Sequence, residues 1–384
     1  MQITGAGITN NSGITQNFVS AFTPSYDGIT FSGNATAGIL TAYTTTVDTF
    51  NRYSEIRFFD TATAGTATIT NNGGLTEFSG SSTAANGMVI HNEKGQTNFI
   101  DSSTAGNSTL IVNSGVIFFG GDSTGLQARA KVFAGSSLDI GFHNAPGVSI
   151  GSIEGDGIVR LGRKNLTVGS NNRSITFSGL IHDKDYSGGY TGGDGSLTKI
   201  GTGKLTLSKL NTYTGGTTIN RGTLLLKNKG GSATGPGAVQ INTGTLRGTG
   251  IIAGAVTVGN GSSSAAILVG GESGAPGTLT INNPLTFNAL STYKSVLKRS
   301  TPKASKVTAL GVTINSTAQF VFVDPGTGAL PAGTIFTVIN NSSASPISGR
   351  FSNLAQGLVF TSKGTSFKVS YTGGTGNDLT LTVQ

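Results

Sequence analysis

The side chains whose spacing most suggests chemistry are Lys294, Lys298, Arg299, Lys303 and Lys306, five cations within 13 residues around Pro302. On a chain of formal net charge +8, such a cluster suits a polyanion. It would hold the polymer by releasing counterions, so binding would weaken with salt. A solvated basic loop is the other reading of the same five residues. Tyr293 is the one aromatic beside them, which gives no stacking platform for bases, so no specific nucleic acid is expected. The expected partner is an anionic surface polysaccharide or a similar polyanion.

Other reactive types occur without the spacing that chemistry needs. Asp183, Asp185 and Asp194 could offer carboxylates to calcium, but they lack the alternating ligands and terminal Glu of a helix-loop-helix calcium site. An ordinary polar loop, with Asp favouring turns, accounts for them. His91, His143 and His182 fall in different coils, without the spacing of a metal or triad motif, and are expected to be solvent-facing or capped. Without cysteine there is no disulfide, zinc thiolate or thiol nucleophile. No catalytic residue, metal site or cofactor is expected.

The elements that must position these residues are set by a repeat. Phe58, Phe78, Phe99 and Phe119 stand 20, 21 and 20 residues apart. Each is followed at a similar distance by Thr63-Ala64, Thr83-Ala84, Thr104-Ala105 or Thr124-Gly125, and Asn72, Asn92 and Asn113 recur in step. One period shared by three landmarks marks an array in which each unit buries its apolar face on its neighbours. The runs within a unit, such as Thr66-Ala67-Thr68-Ile69-Thr70, alternate with period 2 between Gly and Asn, so the unit is β. Aligned phenylalanines are expected to stack inside, and the asparagines to bond from coil to coil at turns. Five glutamates and 60 glycines argue further against helix.

Residues 1–53 are less regular, as suits N-terminal coils or a cap over an open strand edge. The solenoid is expected over 54–384, interrupted by a loop insertion at 182–196. After that loop comes Gly195-Ser196-Leu197-Thr198-Lys199-Ile200-Gly201-Thr202-Gly203-Lys204-Leu205-Thr206-Leu207-Ser208, then Asn211-Thr212-Tyr213-Thr214-Gly215-Gly216-Thr217-Thr218-Ile219. This strongly resembles the autotransporter-associated β-strand repeat, or passenger-associated transport repeat, and departs from it at Lys209-Leu210, where the family carries Gly and a small residue. The likeness covers 175–384. It implies an all-β fold, a single-stranded right-handed parallel β-helix with coils of about 20 residues, from the exported part of a bacterial surface or secreted protein. It implies no enzymatic chemistry.

The expected role is therefore a non-catalytic extracellular stalk, adhesin or fibre element. The competing expectation is a glycan-binding or glycan-depolymerising β-helix such as a phage tailspike domain, which would set two carboxylates within about 10 Å in a groove. No basic and apolar leader follows Met1, so membrane contact is expected only through a segment outside this chain. The run 379–383 reads as a final strand with an open edge, which would permit end-to-end assembly of copies.

Overall fold

The computed structural model describes residues 1–23, 28–184, 193–263 and 265–384. No helix occurs among them, and the chain forms two compact units, Met1–Leu197 and Thr198–Gln384. Each is a parallel β-helix, as the period-2 runs require.

In the first unit one sheet runs through Gln2–Ile3, Gly28–Phe31, Glu55–Phe58, Leu75–Phe78, Gly95–Phe99, Gly115–Phe119, Ser136–Asp139, Ile158–Arg160 and Leu180–His182. A second runs through Gln16–Ser20, Thr41–Thr45, Thr68–Asn71, Met88–His91, Thr109–Val112, Arg129–Val132 and Ser152–Glu154. Residues 1–53 thus build rungs of the same ladder, with longer coils: Phe31 registers with Phe58, 27 residues on, whereas Phe58, Phe78 and Phe99 follow at 20 and 21.

Register brings like onto like. Phe31, Phe58, Phe78, Phe99 and Phe119 are wholly buried, with successive ring centroids 4.8, 4.6, 4.9 and 4.9 Å apart and planes within 14° of parallel. The expected column is present and Phe31 extends it. The Thr-Ala phrase is a turn: Thr36, Thr63, Thr83, Thr104 and Thr124 are bridged in a row. Oγ1 of the first four accepts from the backbone N–H two residues on, at 2.9 to 3.0 Å, while Ala37, Ala64, Ala84 and Ala105 point inward. A short hydroxyl closes each corner by satisfying a backbone donor that the ladder leaves out.

The corner three residues before it alternates Gly33, Asp60, Gly80, Asp101 and Gly121, all left-handed with φ between 55° and 67°. Here Asp60 Oδ2 accepts from Gly33 N (2.8 Å) and Asp101 Oδ2 from Gly80 N (3.0 Å). Glycine tolerates the conformation, and each Asp offsets its cost with a bond to the coil before. Among the expected asparagines, Asn113 donates to Asn92 (3.2 Å), and no such bond joins Asn72 to Asn92 among the described contacts. Asn86 with Asn107 makes a further rung that the period did not single out.

In the second unit the coils lengthen: Leu205, Leu224, Leu246, Leu268, Tyr293 and Phe320 are successive register partners 19, 22, 22, 25 and 27 residues apart. The pairing then changes. Asp378–Val383 lies between Ile335–Asn341 and Thr365–Gly373 and is antiparallel to both. The expected open edge at 379–383 is therefore wrong, because a meander returning through Val359–Ser362 and Thr365–Gly373 pairs that strand on both sides. Val359–Ser362 is outermost in this sheet.

Candidate functional site

The cationic segment is a hairpin at the end of one rung. Thr292–Lys298 continues past its parallel neighbours and turns back antiparallel into Lys303–Ala304, with Leu297 opposite Ala304 and Lys298 opposite Lys303. Directly opposed residues of an antiparallel pair share a face, so both side chains leave the hairpin on one side, and both lysines are exposed. Lys294, four residues back from Lys298 on the outward face, and Lys306, at the start of Lys306–Ala309, are half-buried. Among the described residues none of these four lysines is in an ion pair. Beside them a groove of about 430 Å³ is lined by Pro302, Lys303, Lys306, Pro276 and Phe336.

Arg299 does not belong to this set. Its side chain is 1% exposed, as is that of its partner Asp324, with Nη2 2.6 Å from Oδ2. Nε also donates to Asp324, Nη1 to Gly328 O (2.8 Å) and Thr365 Oγ1 (2.9 Å), and Nη2 to Ser362 O (2.9 Å). All five guanidinium donors are thus satisfied inside the protein. Burial alone would raise the Asp324 carboxyl, but hydrogen bonds from Arg299 and Ser362 outweigh it and hold it below the ordinary carboxylate range. The pair ties the hairpin to the turn at 362–365. It is a clamp, and the expected patch shrinks from five cations to four.

The histidines are capped, and none faces solvent. His91 is wholly buried: its Nε2 lies 2.7 Å from Thr97 Oγ1 and 3.4 Å from Asn71 Nδ2. Asn71 Oδ1 in turn accepts from Thr45 and Thr76 (2.9 Å each). Burial pushes the His91 imidazole down to about 4, so it is neutral at ordinary pH. His143 sets Nε2 2.6 Å from Ser123 O and Nδ1 2.7 Å from Asn144 O, and His182 Nδ1 accepts from Lys184 N at 2.9 Å. Of the loop expected at 182–196, residues 185–192, including Asp185, lie outside the described residues. No group of three metal-ligating side chains occurs among the described residues.

A second groove, of about 400 Å³, was not anticipated. Tyr53, Lys94, Gln96 and Asn98 border it in the first unit. One sequence signal could have found it: Tyr53, Gly73 and Lys94 each stand five residues before a column phenylalanine.

The stretch with the clearest sequence signature holds core. Leu205, Leu207, Tyr213, Ile219, Leu224 and Leu226 are buried, and Asn211 Nδ2 donates to Ala233 O in the next coil (2.6 Å). Lys199, 2% exposed, turns its ammonium onto the carbonyls of Ile200, Gly201 and Arg221, and burial pulls it down to about 8. Residues 197–226 match the family model of the passenger-associated-transport-repeat. No curated protein matches the chain. The match covers 30 of the 384 residues, and these lie within the parallel β-helix.

Proposed function

We propose that this chain is a non-enzymatic passenger of a bacterial cell surface whose role is adhesive: it presents a rigid β-helical scaffold and holds an anionic polysaccharide at the lysine hairpin. The observation that carries this reading is Lys298 opposite Lys303, both exposed. Like charges set directly opposite repel, and an anionic polymer lying across both removes that cost. The passenger repeat supports the extracellular setting in which such polymers occur.

The test is a titration of the purified chain with alginate at 20 and 300 mM salt. Binding at low salt that falls steeply at high salt is expected. Absence of binding at low salt would remove the polyanion reading.

A further inference from the structure

The groove at Tyr53 is a slot made by a missing rung. Glu55 registers with Leu75 and Leu75 with Gln96; two residues back, the same register stacks Tyr53, Gly73 and Lys94 in three successive coils. Gly73 has no side chain and cannot accept one readily: its φ is +85°, and a Cβ would come 2.4 Å from Val47 Cγ2. Tyr53 and Lys94 thus flank Gly73, whose Cβ side is covered by Val47, and the groove opens beside Gly73, Gly74 and Leu75. Along one side run Gln96, exposed, and Asn98, half-buried, on the outward face of Gly95–Phe99. Gln96 Nε2 donates to Asn98 Oδ1 at 2.6 Å, which leaves the Asn98 amide hydrogens and the Gln96 carbonyl directed to the groove or solvent.

Tyr53 is held in place before any ligand arrives. Residues 46–54 form a hairpin in which Val47 bridges Tyr53, and Asp48 Oδ1 accepts from Phe50 N (2.8 Å) and Arg52 N (3.0 Å). Arg52 Nε donates to Asp48 Oδ2 (2.7 Å) while its guanidinium lies over the rings of Phe22 (4.4 Å) and Phe50 (5.1 Å). Ser54 Oγ fastens the base, accepting from Thr46 N and donating to Ser20 O. These bonds fix the backbone on either side of Tyr53, whose side chain is 51% exposed, so little backbone freedom is left to lose on binding.

We propose that this slot binds a saccharide carrying an acidic sugar, with the apolar face of one ring on Tyr53, its hydroxyls on Gln96 and Asn98, and its carboxylate toward Lys94. A sugar ring offers a flat C–H face and a rim of hydroxyls, which is what an exposed aromatic beside paired amides can recognise. Among the described lining residues Lys94 is the one charged side chain, so complementarity selects an anion. This goes beyond the polymer-holding role of the lysine hairpin: it lies in the other unit and relies on short-range contact, so either can fail alone.

The test is saturation-transfer NMR and calorimetry of the full chain with hexagalacturonate and with neutral maltohexaose at 150 mM salt. The expected result is transfer to the ring protons of hexagalacturonate and weaker binding of the neutral hexamer. Tyr53→Ala should lower affinity for the acidic hexamer at least tenfold, and Gln96→Ala, at an exposed position that leaves the coil intact, three- to tenfold. Lys94→Gln should bring the two hexamers to similar affinity, and the losses from Tyr53→Ala and Gln96→Ala should be the same size in a chain that also carries Lys298→Gln and Lys303→Gln. Absence of transfer with both hexamers, equal affinity for them in the unaltered chain, or affinity unchanged by both Tyr53→Ala and Gln96→Ala would overturn the assignment.

Discussion

The two units build the same kind of coil from opposite kinds of rung. In Met1–Leu197 the rungs repeat, so Phe stacks on Phe with planes 5° to 14° apart and Thr bridges Thr. Beyond Leu268 in Thr198–Gln384 the rungs differ. Phe287, Tyr293, Phe320 and Phe351 meet at angles from 22° to 68°, and an ion pair is buried at Arg299 and Asp324. A repeated rung is stabilised by what it shares with its neighbours, and its stability approximates a sum over like interfaces. An unrepeated rung depends on particular partners far along the chain. Both candidate binding features fall where a rung departs from its neighbours: Gly73 lacks the side chain its neighbours carry, and Thr292–Lys298 overruns its sheet.

The largest expected effect breaks the repeated side. Phe99→Ala removes a ring sandwiched between Phe78 and Phe119 in a fully packed column and should cost about 3 to 5 kcal/mol. Urea denaturation followed by circular dichroism reads that loss. Hydrogen exchange should show it over 75–119, with little change over 335–383. A cost under about 1 kcal/mol would mean that the column is not packed.

Arg299→Ala probes the unrepeated side. It leaves the Asp324 carboxylate buried without its partner and should cost roughly 3 to 4 kcal/mol. Here faster exchange should appear at 292–304 and 359–365, the segments that the guanidinium joins. A neutral result would return Arg299 to the surface patch.

A smaller effect sharpens the contrast through pH. The folded-state value of His91, about 4, lies below its unfolded value near 6.5, so between these the unfolded chain binds more protons. Stability should fall as pH drops from about 6.5 to 4, by roughly 2 to 3 kcal/mol, and this contribution should be flat above and below that window. His91→Gln should remove the slope. If the slope persists in that variant, the titrating group lies elsewhere.

Much of the repeated side was legible because its information is local and periodic. Phe58, Phe78, Phe99 and Phe119 announce their register by spacing alone, and the Thr-Ala phrase marks its own corner. Arg299 was misread for the opposite reason. Its neighbours in sequence are cations, but Asp324, 25 residues on, and Ser362 decide its environment. His91 shows the same limit, since its partner Asn71 lies one coil away. The Tyr53 slot shows in the sequence only as Gly73, five residues before Phe78, where the flanking coils carry Tyr53 and Lys94. A reading that attends to the residues present passes over it.

The central claim is that the rungs give rigidity while departures from them bind. Its most direct test is the salt dependence of alginate binding in the unaltered chain against a chain carrying Lys298→Gln and Lys303→Gln, both at exposed positions. The account predicts unchanged thermal unfolding and a log-log slope shallower by about two, one counterion for each lysine removed. An unchanged slope in a folded double variant would contradict it.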